Sequence, residues 1–180
     1  KIVGYINLIY IVLLSASMYL FFITIKDFFS KDFKLYSQKI THLGFSTLIL
    51  SILLNNIFSN EVITNLKVGE KFNFNQGTIF FESVTERKGK NYKSIVGNFN
   101  IQVSEKKIIK LKPELRIYNQ PETITSEADI KTTLYSDKFL VMNLVKGNEY
   151  FNVKYQDKPF MIWIWISSLL IVAGGFFSLV

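Results

Sequence analysis

The sequence predicts a membrane protein: three transmembrane α-helices with an extracytoplasmic antiparallel β domain, a sandwich or small barrel, inserted between the second helix and the third. Three observations carry this. Long runs free of full charge lie near both ends of the 180 residues. Charged residues make up 19% of the chain, and most of them fall within residues 61–158. That central stretch alternates apolar and polar residues with the period of two that a half-buried strand requires.

Residues 4–25 carry no charge, and at 1.5 Å per residue they reach roughly 33 Å, enough for the hydrocarbon core. Residues 40–58 form the second expected span, uncharged except for whatever His42 carries. Residues 159–180 form the third, with Pro159 suited to a first helical turn and Trp163 and Trp165 suited to an interface. Residues 26–39 join the first two spans with four lysines against Asp27 and Asp32. The positive-inside bias, counted over short loops, assigns that loop to the cytoplasm or mitochondrial matrix. Residues 59–158 then lie outside, in a periplasm or intermembrane space. The chain opens on Lys1 and stops at Val180 inside an apolar run, so neither end is expected to be a natural terminus. The first apolar run is too long for a signal peptide and lacks a small-residue cleavage site.

Within the outer domain, seven segments read as strands: KFNFNQ, TIFFESVTE, SIVGNFNIQVS, KKIIKLK, LRIYN, KFLVMNLV and YFNVKYQ. Breaks are expected at Gly69, Gly77, Gly89, Pro113, Pro121 and Gly147. The formal net charge is +7, but the cations are interspersed with acids and form no basic stripe, which argues against a nucleic-acid partner. With no cysteine in the chain, disulfides, thiolate metal sites, covalent haem attachment and thiol catalysis are excluded.

Few residues carry chemistry. His42 is the one histidine. An ionisable group in a span is expensive enough to mark a functional site, and neutral imidazole is a ready ligand for haem iron, with Gly44 and Ser46 keeping nearby volume small. On the residues alone, a structural histidine near head-group level is the preferred reading. Residues 111–130 place Lys112 and Arg116 on either side of a Pro-Glu turn, and Thr125 with Glu127 after a second proline. Such cations could hold a haem propionate or a partner's carboxylate; a solvated hairpin is the simpler reading. Trp163 and Trp165 could line a flat ligand but more often anchor a helix at the interface. Ala173, Gly174 and Gly175 allow close helix packing. Asn55 and Asn56 could satisfy one another or the start of the domain.

Several stretches taken in order resemble the C-terminal part of CcmF, the haem-lyase component of cytochrome c maturation. They are His42-Leu43-Gly44 opening a membrane helix, Leu111-Lys112-Pro113-Glu114 with Arg116 and Tyr118, and Thr125 with Glu127 and Ile130. Lys158-Pro159-Phe160 leading into Trp163-Ile164-Trp165 and the Ala173-Gly174-Gly175 tail complete the set.

The resemblance implies a part of a haem lyase in the bacterial inner membrane, or in the mitochondrial inner membrane if organelle-encoded, surrounded by membrane lipid. Haem would pass from the chaperone CcmE to apocytochrome c with help from CcmH-type subunits and the upstream remainder of CcmF. It further implies that His42 is an axial ligand of a membrane haem b, with Gly44 allowing close approach and a second histidine outside this chain. Lys112, Glu114, Arg116 and Glu127 would form a partner or propionate surface. This chain alone is not expected to be catalytic. The rival reading is a non-catalytic membrane-anchored β domain that docks partner proteins; a transporter or sensor subunit is a third. Protease added from the periplasmic side is expected to cut within residues 59–158 and to spare residues 26–39; cutting of that loop from outside would reverse the orientation.

Overall fold

The computed structural model describes residues 8–30, 36–104, 107–145 and 149–179. Its elements are α1 (Leu8–Phe28), α2 (Tyr36–Phe58), ten strands β1 (Asn60–Leu66), β2 (Lys71–Phe74), β3 (Gly77–Lys88), β4 (Tyr92–Ser104), β5 (Lys107–Leu111), β6 (Glu114–Asn119), β7 (Glu122–Glu127), β8 (Asp129–Thr132), β9 (Ser136–Leu144) and β10 (Phe151–Pro159), and α3 (Met161–Phe177). Two compact units result: the helices together with residues 133–136 and 158–159, and the strands from residues 60–132 and 137–157. The expected β domain of residues 59–158 thus loses one internal turn to the helices.

In the helical unit, α1 and α2 are long and apolar enough to cross a membrane, while α3, at 17 residues, lies at the short end of that range. The expected start of the first helix at residue 4 lies outside the described residues. The expected 26–39 loop is shorter than its charge suggested: Lys26 and Asp27 end α1, Tyr36 to Lys39 open α2, and residues 31–35 lie outside the described residues. Lys39 is buried because its ammonium donates to the Ser30 carbonyl (3.0 Å) and hydroxyl, just past the carbonyl-rich end of α1.

Small and hydroxyl side chains set the helix contacts, as expected where the surroundings offer no hydrophobic drive. Thr24 and Ser46 share a buried hydrogen bond of 2.6 Å between α1 and α2. A Cβ at Gly174 would meet Thr41 Oγ1 at 2.2 Å and the Thr41 nitrogen at 2.8 Å, so α2 and α3 touch backbone to backbone there. The outward faces are apolar, with Leu8, Phe22 and Leu169 all exposed.

Pro159 was expected in the first turn of the third helix; it ends β10 instead, and Phe160 makes the corner at φ 60°. That left-handed conformation is rare for a bulky residue. It is held from both sides: Phe160 N donates to Tyr135 O (2.9 Å), and Asn55 Nδ2 donates to Pro159 O (2.6 Å). Asn55 therefore meets the start of the domain, accepting the Ser59 hydroxyl at its carbonyl (2.5 Å) and Oδ1 (3.3 Å), and also satisfies the return of the chain, an outcome not expected.

The strand unit is an antiparallel β-sandwich. One sheet runs β1-β10-β9-β8; the other runs β2-β3-β4-β6-β7, with β5 also pairing β4. All seven expected strands are present, and β1, β7 and β8 are additions. Ile63 of β1 points outward and is exposed, while Thr64 is partly buried. β7 is mostly Thr, Ser and Glu, and β8 has only four residues. None of the three shows the apolar alternation that reveals a strand. Gly69 sits at φ 88° in the turn before β2, and Gly147 lies outside the described residues.

Inward residues of both sheets interdigitate. Phe81 stacks on Phe99 at 4.2 Å between centroids and meets Phe151 edge-on at 5.3 Å, so one ring bridges β3, β4 and β10. Gly97 leaves room for Met142 Sδ, which would lie 2.6 Å from a Cβ there. At one end of this inward face the buried Lys138 pairs with Asp157 beside Tyr155. Burial, reinforced by the Asp157 carboxylate, pushes the Tyr155 phenol up and keeps it neutral. Because Phe81 is fully buried at the meeting of three strands, Phe81→Ala is expected to destabilise the sandwich by roughly 3–5 kcal/mol, read as a shift in its denaturant midpoint with the slope unchanged.

Candidate functional site

The expected site residues fall into two groups, one in each unit. His42 occupies the second turn of α2, roughly 9 Å along the axis from Tyr36 at 1.5 Å per residue. Its side chain is exposed, and among the described residues the imidazole has no hydrogen-bond partner. The described residues therefore leave its nitrogens unpaired. Gly44, two residues on, lies about 200° around the helix at 3.6 residues per turn. It faces α3: a Cβ there would sit 3.0 Å from Ile171 N, Ile171 Cγ1 and Leu170 Cβ. Gly44 serves the α2–α3 contact, on a different side of the helix from His42.

Trp163 and Trp165 are likewise two apart, so they face opposite sides of α3 and cannot line one flat ligand. Trp163 donates its indole N–H to Leu134 O (3.0 Å), and Trp165 is exposed. Beside Trp163 an apolar groove of about 620 Å³ lies between α1 and α3. Leu50 and Leu54 of α2 line it, with Phe21 and Phe28 on one wall and Ile166 and Leu170 on the other.

The second group lies on the outward face of the six-stranded sheet. Antiparallel pairing of β6 with β7 sets Glu114 opposite Glu127 and Arg116 opposite Thr125, while β3 and β4 bring Arg87 opposite Ser94, which itself faces Arg116. Two like charges directly opposite would repel, and Arg116 resolves this. Its Nε lies 3.3 Å from Glu114 Oε2 and its Nη1 3.7 Å from Glu127 Oε1. Arg87 Nη1 approaches Glu114 Oε1 at 3.9 Å. The Arg116 guanidinium sits 5.1 Å from the centre of the Tyr92 ring, whose centroid is 5.4 Å from that of Tyr118. The Glu114 hydrogen bond pushes the guanidinium up, opposed by desolvation and helped by Tyr118 and Glu127.

Thr125 joins the network through Glu127 (3.4 Å). Lys112 does not: its side chain is exposed, and its part is a backbone N–H donated to Asp129 Oδ2 at 2.6 Å. The Pro-Glu turn expected around it is replaced by the start of β6 at Glu114. Arg87 and Tyr92 were not singled out as members, because strand register alone assembles them with Arg116 and Tyr118. Two cations balance two carboxylates, so the patch is suited to recognition by shape and hydrogen bonding rather than to proton transfer.

A family profile described as the CcmF C-terminal beta-sandwich matches residues 57–159. The cytochrome c-type biogenesis protein CcmF of Pseudomonas aeruginosa is 26% identical over 140 residues, covering 78% of this chain and 21% of that protein. The CcmF of Escherichia coli is 26% identical over 147 residues, covering 82% of this chain and 23% of that one. A solved structure of the cytochrome c heme lyase CcmF superposes with a TM-score of 0.66 at 12% identity, over 97% of this chain and 34% of that chain, a likeness of fold. The chain therefore spans about a fifth of the length of these curated relatives.

The exposed half of the Arg116 network is open to screening. Arg116→Ala is expected to lower the thermal midpoint of the sandwich, and the deficit is expected to shrink at about 1 M salt, where the screening length falls to about 3 Å; a salt-independent deficit would make the loss one of packing.

Proposed function

The chain belongs to the CcmF family, whose C-terminal β-sandwich it carries, and from that premise we propose that it serves cytochrome c maturation as the C-terminal region of a CcmF-like haem lyase. The proposal has the helices crossing the bacterial inner membrane or its mitochondrial counterpart, with residues 26–39 inside and the sandwich on the periplasmic or intermembrane-space side. Haem, received from a CcmE-type chaperone, would be joined to apocytochrome c by an assembly that includes CcmH-type subunits and the longer remainder of the lyase.

The observation that supports a haem role most directly is His42: an imidazole on an apolar helix, exposed and without a hydrogen-bond partner among the described residues. Left so in hydrocarbon, it is unfavourable, and coordination to iron of a b-type haem satisfies it. A bis-histidine site needs a second imidazole, and this chain has one histidine. Its partner must come from outside this sequence, and the chain alone should hold haem weakly or not at all.

The sandwich has a different task. With no histidine or cysteine and a charge-balanced network around Arg116, it fits docking of protein partners better than bond making. In the assembled lyase, His42→Ala is expected to abolish a low-spin b-type spectrum while the protein still inserts. Arg116→Ala or Glu127→Ala is expected to keep that spectrum and lower the yield of mature cytochrome c. An unaltered low-spin haem in His42→Ala would assign the ligand elsewhere; normal maturation in both other variants would remove the hairpin from the working surface.

A further inference from the structure

We infer that the turn of residues 133–136, between β8 and β9, is a lipid-contacting anchor that lies at head-group level beside the start of α3. The inference rests on the reading of the helices as membrane spans. The turn packs as part of the helical unit, although strands flank it in sequence.

Thr133 builds it locally. Its Oγ1 donates to Ser136 O (2.8 Å) and accepts the backbone N–H groups of Tyr135 (3.4 Å) and Ser136 (3.1 Å), while Thr133 N donates to Ser136 O (3.1 Å). α3 then satisfies the tip: Leu134 O accepts the Trp163 indole N–H, and Tyr135 O accepts Phe160 N. A segment entering the edge of a bilayer must have its backbone carbonyls paired in this way, because water becomes scarce there.

The side chains of the tip do the opposite. Leu134 is 62% exposed and Tyr135 79%, beside Trp163 at 40%. A rigid turn that pairs its polar backbone and turns out a Leu and a Tyr presents an apolar body with a phenol at its rim. That combination partitions to the boundary between acyl chains and head groups, where Trp and Tyr concentrate. The groove between α1 and α3 continues the surface: Leu134, Tyr135, Phe160 and Trp163 line it at one end and Leu170 further along α3. A phospholipid seated there would have its head group at Tyr135 and an acyl chain along Ile166 and Leu170.

This sequence has no cysteine of its own to compete for a single label. Tyr135→Cys, Met18→Cys in the middle of α1 and Lys90→Cys in the β3–β4 turn are each labelled with bimane. The full chain is reconstituted, with the rest of its lyase where that is needed for insertion, in phosphatidylethanolamine–phosphatidylglycerol vesicles carrying nitroxide at a shallow or a deep acyl position. The label at Tyr135 is expected to be quenched several-fold more by the shallow nitroxide than the label at Lys90, and several-fold less by aqueous iodide. Iodide quenching equal to that at Lys90 would place the turn in water, and protection from both quenchers would place it under protein; either result overturns the inference. The Met18 label tests the spanning reading separately: no quenching by the deep nitroxide there would sink that reading, whatever the turn does.

Discussion

One hydrogen bond closes the helical unit where the chain leaves it for the strands and returns. Asn55, in the last turn of α2, donates through Nδ2 to the carbonyl of Pro159, 104 positions later. Ser59 ties the exit to the same residue by donating its hydroxyl to Asn55 O, and Phe160 turns the chain into α3 at a positive φ. In the strand unit the first and last strands are neighbours, with Asn60 opposite Asp157. A domain whose ends leave and return side by side can be carried between two packed helices without a long linker, and the loop-closure entropy of about a hundred residues is then met once, by β1–β10 pairing. Antiparallel order everywhere else follows from short connections between sequential strands.

The helices were legible because charge-free runs of that length suit little besides a membrane span, and their ends were not, because capping is local chemistry. Lys39 looked like loop because of its charge; it lies in α2 with its ammonium donating hydrogen bonds to Ser30 past the end of α1. Strands with buried faces announced themselves by alternation. β1, β7 and β8 did not, since each lies at a sheet edge where Ile63, Ile124 or Ile130 can face solvent and the pattern loses its meaning.

The candidate sites divide along the same line. Glu114, Arg116 and Glu127 sit near enough in sequence for a hairpin to be guessed, but Arg87 and Tyr92 reach Arg116 only through the register of β3, β4 and β6. Gly44 shows the reverse case. Its small size was visible and its reason was not, because a glycine beside a histidine suggests a ligand until the helical phase points the two in different directions.

The pairing of Lys138 with Asp157 has a consequence for how such a domain can diverge. Both side chains are largely shielded, on adjacent strands at one end of the inward face, where a lone charge would be left without water. Losing either partner is then unfavourable by about 3–5 kcal/mol, while exchanging both for well-packed apolar residues is close to neutral. Single-step drift through these two positions is therefore blocked, and related chains should carry both charges or neither, changing them as a coupled unit even while the surrounding strands vary freely.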